Sequence, residues 1–67
     1  MNMRNNLRVI LAERKIKKGN FAEKVGINRN TLSFIISEKS VPTLEVAMKI
    51  ARALDLKVED IWFFEEE

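Results

Sequence analysis

The chain has 67 residues, 46% of them hydrophobic and 33% charged, with a formal net charge of +2 and neither cysteine nor histidine. That length makes one domain, residues 1–67, with no room for a separate ligand-sensing module. Without cysteine and histidine there are no disulfides, thiolate or imidazole metal sites, cysteine nucleophiles or histidine acid–base chemistry. No cofactor and no metal is expected, and the small core looks to self-association for support.

The uncharged stretches are far too short to span a bilayer. Arg4 and Arg8 interrupt the first ten residues, which leaves no signal-peptide core. A soluble, cytoplasmic protein with no membrane partner is the expectation. The net charge conceals an asymmetry: residues 1–39 hold nine basic side chains against three acidic ones, net +6, and residues 40–67 hold three against seven, net −4. One half can face a polyanion while the other stays away from it. Charge alone favours the plainer reading of two solvated faces, so the assignment needs a motif.

Apolar residues recur near a period of 3.6 along most of the chain, broken by short interruptions. Leu7, Ile10, Leu11 and Arg14 share one face of a first helix, opened by Asn5 or Asn6 as N-cap. A second helix over about Lys18–Val25 buries Phe21, Ala22 and Val25, and Gly26 ends it where a positive φ costs least. Asn28 caps a third, about Arg29–Ser37.

Pro42 keeps residues 38–42 a loop, and Thr43 caps a fourth helix. Its apolar set of Leu44, Ala47, Met48, Ile50, Ala51 and Leu54 is wide enough to be nearly central in a bundle. A last short helix covers Val58–Trp62, and an acidic tail, residues 65–67, ends the chain. Strand signals are weak; the aromatic residues leave room for a short terminal ribbon between Met1–Arg4 and Phe63–Glu66.

Two short helices meeting at Gly26, the second capped by Asn28, have helix-turn-helix spacing over residues 17–37. At about 100° per residue, Arg29, Asn30, Ser33, Phe34 and Ser37 fall on one arc of about 140°. Thr31, Leu32, Ile35 and Ile36 fall opposite, a mostly core arc. The first arc suits base reading: Arg29 can donate a bidentate pair to guanine, Asn30 can pair with adenine, Ser33 can bond either, and the Phe34 ring can touch a thymine methyl.

The run Phe21–Ala–Glu–Lys–Val–Gly26–Ile–Asn28–Arg29–Asn30–Thr–Leu–Ser33 resembles the helix-turn-helix of Cro and lambda-repressor-type regulators, the Xre superfamily. Lys39–x–x–Pro42–Thr43–Leu44–Glu45–x–Ala47–x–x–Ile50–Ala51–x–Ala53–Leu54 resembles that family's loop and fourth helix. The likeness covers about residues 5–62 and joins two separated segments at the right distance. It implies an all-α, five-helix domain whose third helix enters the major groove of double-stranded DNA, and a bacterial, phage or archaeal origin.

This sequence departs from the family pattern in several places. Most relatives carry Gln where Lys18 stands, and Gly19 follows it inside the second helix, where glycine is unfavourable. Glu38 replaces the family's usual glycine after the recognition helix. Many relatives join an Arg in the first helix to a Glu at the end of the third; Leu11 and Ile36 stand there, which implies an aliphatic contact in place of a buried ion pair.

Phosphate contacts are expected from donors flanking the recognition helix: Lys17, Lys18 and Asn20 before it, Ser37 and Lys39 after it, and Arg8. One recognition helix reads only a few base pairs, so a homodimer on a near-palindrome is expected, acting as a repressor by occupancy. Val58, Ile61, Trp62 and Phe63 are the candidate dimer interface, although for Ile61 folding back onto the core is the stronger reading. The competing reading is a protein-interaction module, such as an antitoxin or anti-repressor partner, docking through Phe34 and the aromatic end. An enzyme fits least, because no general base or metal cluster surrounds Ser33, the carboxylates or the lysines.

Overall fold

The computed structural model describes residues 2–66. Its elements in chain order are β1 (Asn2–Asn5), α1 (Leu7–Glu13), α2 (Lys18–Val25), α3 (Arg29–Ile36), α4 (Leu44–Ala53), α5 (Val58–Ile61) and β2 (Trp62–Glu65). The two strands form an antiparallel ribbon with Asn2 opposite Glu65 and Asn5 opposite Trp62. The ribbon therefore exists one residue inward of the expected stretch; Met1 and the last tail residue, Glu67, lie outside the described residues. Trp62 opens β2 and is not the end of α5, so the last helix is one residue shorter than expected.

Local signals set the helix ends. Asn28 Oδ1 accepts from the Asn30 amide at 2.7 Å, and Thr43 Oγ1 accepts from Val46 at 3.2 Å. At α1 the two asparagines divide the work. Asn5 Oδ1 caps the helix by accepting from the Leu7 amide at 3.0 Å, while Asn6, at the N-cap position, donates its own amide to the Ile61 carbonyl at 3.0 Å. Asn5 also sends its side-chain amide to the Ile35 carbonyl at 2.8 Å, tying the start of the chain to the end of α3.

The first four helices each run into a residue with positive φ: Lys15, Gly26, Glu38 and Asp55. Only Gly26 adopts this conformation without steric cost; side-chain-bearing residues meet their following carbonyl oxygen there. At Glu38 the conformation comes with two anchors. Its Oε2 accepts from Arg4 Nε at 2.7 Å and from the Asn5 amide at 3.0 Å, and Arg4 also pairs with Glu65 at 2.9 Å. Hydrogen bonding from Arg4, then from the Asn5 backbone, holds the Glu38 carboxyl below its ordinary range. The Arg4 guanidinium is correspondingly raised, chiefly by Glu65 and then Glu38.

The core is wholly apolar: Leu7, Leu11, Phe21, Ala22, Leu32, Ile35, Ile36, Ala47, Ile50, Ala51, Leu54, Ile61 and Trp62. No buried polar or charged residue occurs among the described residues. Leu11 and Ile36 both lie in this cluster and line one cleft together with Ala12 and Ile16, so aliphatic packing occupies the place read as a substituted ion pair.

Three expectations are corrected. Leu44 and Met48, expected inside, are 71% and 56% exposed; α4 buries only its Ala47, Ile50 and Ala51 face and is less central than its composition implied. Thr31, on the inward arc of the wheel, is exposed: burial on α3 is confined to Leu32, Ile35 and Ile36. Trp62, expected at a dimer interface, is buried within the monomer, and Ile61, named for the same interface with the core as its stronger alternative, is buried completely. The physical reason is the ribbon: pairing Asn5 with Trp62 turns the indole inward over the core.

Candidate nucleic-acid interface

Helices α2 and α3 pack on one another and meet at Gly26, whose φ of 84° reverses the chain. The Gly26 and Ile27 amides both donate to the Ala22 carbonyl, at 2.8 and 3.0 Å, closing the end of α2. Leu32, Ile35 and Ile36 then face the core, and the remaining arc of α3 faces out. Arg29 and Asn30 are exposed, Ser33 is half-buried, and Phe34 is 51% exposed. All four expected base-reading side chains therefore share one open surface.

Around this surface stand Arg8 on α1, Lys17 and Lys18 at the start of α2, Asn20 one turn in, and Lys39 after α3, all exposed. The salt bridges among the described residues are Arg4–Glu38, Arg4–Glu65 and Lys49–Glu45, so none of these flanking cations is held by a carboxylate. Their charge is free to meet a polyanion. Arg8, Lys18, Lys39, Ser33 and Phe34 border the cleft whose apolar lining includes Leu11, Ile16 and Ile36.

Ser37 differs from its expected role. Its hydroxyl donates to the Phe34 carbonyl at 3.2 Å and its amide to the Ser33 carbonyl at 3.0 Å, so it has no donor to spare for a phosphate in this conformation. The Phe34 carbonyl also accepts from the Lys39 amide at 2.9 Å and the Ser40 amide at 3.3 Å, which fixes the turn that carries Lys39.

An exposed polar face on the second of two helices joined at an αL turn, flanked by cations unpaired among the described residues, is the architecture of a helix-turn-helix, and residues 6–67 match the family model for the Cro/C1-type HTH DNA-binding domain. The chain belongs to this family. An uncharacterised HTH-type transcriptional regulator of Archaeoglobus fulgidus is 37% identical over 65 residues, covering 97% of this chain and 92% of that protein. YgzD, an uncharacterised HTH-type transcriptional regulator of Bacillus subtilis, is 34% identical, covering 97% of this chain and 98% of its own length. The fold is similar to a solved protein of Bacteroides fragilis assigned to DNA binding, with a TM-score of 0.81 at 33% identity over 91% of this chain and 98% of that one. The chain is thus an HTH-type transcriptional regulator of the Cro/C1 type, in a family of DNA-binding proteins and not of enzymes. No helix is long and apolar enough to cross a membrane among the described residues.

Reading the sequence for this Cro/C1-type domain missed three features. The Arg4–Glu38 pair joins residues 34 apart and leaves no local signal. Phe64, 58% exposed beside Phe63, extends the apolar end of the ribbon; its aromatic character was visible, its outward placement was not. The guanidinium of Arg29 lies against Gly19, a contact between two helices that no spacing announces.

Proposed function

We propose that this protein is a sequence-specific repressor that binds a near-palindromic operator as a homodimer, with α3 in the major groove. The observation that carries this reading is the shared exposure of Arg29, Asn30, Ser33 and Phe34 on one face of α3. Arg29 and Asn30 supply the donor patterns that distinguish guanine and adenine, Ser33 bonds either, and Phe34 offers apolar contact to a thymine methyl. Lys17, Lys18, Asn20, Lys39 and Arg8 set the register on the phosphates. Ser37 joins them only if its hydroxyl leaves the Phe34 carbonyl.

One helix reads too little sequence for useful specificity, so two copies bind half-sites about 34 Å apart. The exposed Phe63 and Phe64 at the ribbon end, with the half-buried Val58 beside them, are the proposed contact between copies. Occupancy of the operator, in the cytoplasm and on the nucleoid DNA, then blocks or repositions polymerase. Selection from a random duplex library near physiological salt tests the reading: a palindromic consensus is expected, and no enrichment overturns it. Affinity should fall steeply with salt, and Lys39→Ala should lower the log–log slope by about 1.8, one phosphate's worth from each protomer of the dimer.

A second reading, a protein-docking module, is favoured by the exposed Val41, Leu44 and Met48 on and before α4. Arg29→Ala separates the two: operator binding lost with a partner complex intact supports DNA reading.

A further inference from the structure

The two glycines of this chain stand in different circumstances. Gly26 has a φ of 84° and open space where a β-carbon would be, so backbone conformation explains it. Gly19 lies inside α2 in ordinary helical conformation, where glycine is a poor helix former and the backbone gives no reason for it. Space gives one. A β-carbon built there would lie 3.0 Å from both Cζ and Nε of Arg29 and closer still to one terminal guanidinium nitrogen. The guanidinium therefore rests against the bare α-carbon of Gly19.

No hydrogen bond or ion pair to another side chain occupies Arg29 among the described residues, and the edge of its guanidinium that carries Nε and one terminal nitrogen is the part that meets Gly19. A flexible side chain held in this way loses less rotamer freedom when it later meets a base. Arginine reads guanine through two parallel hydrogen bonds, which demand a defined plane and direction.

We infer that Gly19 is a specificity-determining positioning residue: its missing side chain seats the Arg29 guanidinium against α2 and so presents Arg29 to the base it reads. This rests on the DNA-reading role proposed for Arg29, and one of its tests needs no DNA. Because the obstructed atoms are the far end of a flexible side chain, Gly19→Ala should displace Arg29 without harming the fold. Alanine is also the better helix former.

The first test is 15N relaxation of the Arg29 Nε–Hε group in the full chain without DNA. The group should be restricted in the wild type and clearly more mobile in Gly19→Ala; equal mobility in the two overturns the inference. Thermal melting of Gly19→Ala should be equal to or above wild type, and a lower midpoint overturns it too, because the new methyl would then obstruct more than Arg29. With DNA from the library selection, Gly19→Ala should lose about tenfold discrimination at one base pair per half-site, the position that Arg29→Ala also relaxes. In the Arg29→Ala background the Gly19 change should have no further effect on specificity; an additional loss there would mean Gly19 acts through another group. If the wild type enriches no sequence, the DNA-reading proposal falls, while the relaxation comparison still decides whether Gly19 seats Arg29.

Discussion

Trp62 offers the sharpest test of the architecture, because sequence reading sent its ring outward and the structure sends it inward. The residue is 8% exposed and belongs to the core cluster with Leu7 and Ile61. A buried aromatic removes roughly 150–250 Å² from water, about 4–6 kcal/mol at ~25 cal/mol per Å². Against this stands the indole Nε1, buried without a hydrogen-bond partner among the described residues, an arrangement that costs about 1–3 kcal/mol. Trp62→Ala should therefore destabilise the monomer by about 3–5 kcal/mol. A domain of this size has only roughly 3–10 kcal/mol in total. Trp62→Phe loses part of the ring but also the unpaired donor, two terms of similar size and opposite sign, so it should stay within about 1 kcal/mol of wild type.

Far-UV circular dichroism suits the assay, since both variants remove the chain's one tryptophan. At about 4 °C or more per kcal/mol, the alanine variant should melt more than about 12 °C lower, at protein concentrations low enough to exclude self-association. Melting of Trp62→Ala within a few degrees of wild type in such dilute samples would refute the inward placement and return the ring to an intermolecular contact.

Three further outcomes follow from the same structure. Leu11→Arg places an unpaired charge where 4% of the side chain is exposed and should cost more than about 2 kcal/mol; an unchanged urea midpoint would show that Leu11 and Ile36 do not share an apolar contact. Asn5→Ala removes the α1 cap and the bond to the Ile35 carbonyl together, for an expected loss of about 1–3 kcal/mol, whereas Asn5→Asp keeps the cap acceptor and should lose less; equal losses would place the whole effect in the α3 anchor. The Glu38 carboxyl is lowered in the folded state, so its contribution is present above its ordinary value of 4.5 and is lost as pH falls through the lowered one. Melting temperatures measured on acidification below that value should decline less steeply for Glu38→Gln than for wild type, and parallel profiles would remove Glu38 from the acid response.

The features legible in the sequence are those whose causes lie within one helical turn. Asn28 and Thr43 bond amides two and three residues ahead, Gly26 ends α2 by its own lack of a β-carbon, and the 3.6-residue period places Leu32, Ile35 and Ile36 on the side opposite Asn30 and Phe34. The candidate site was legible for the same reason, since exposure along α3 follows from the helix repeat once its inner face is known. Leu44 and Met48 mark the limit: periodicity gives the apolar stripe of α4, but its width exceeds what the neighbouring helices cover.

Tertiary structure decided what depends on residues far apart in the chain. The ribbon pairs Asn5 with Trp62 and buries an indole that composition alone read as surface; Arg4 fixes Glu38, and the amide of Asn5 anchors α3 at Ile35. Gly19 and Arg29 lie on separate helices, and only their packing shows why one has no side chain. Local propensity acts through a residue's immediate neighbours on the backbone, whereas burial and inter-helix contact depend on which segments pack together, a property of the whole chain.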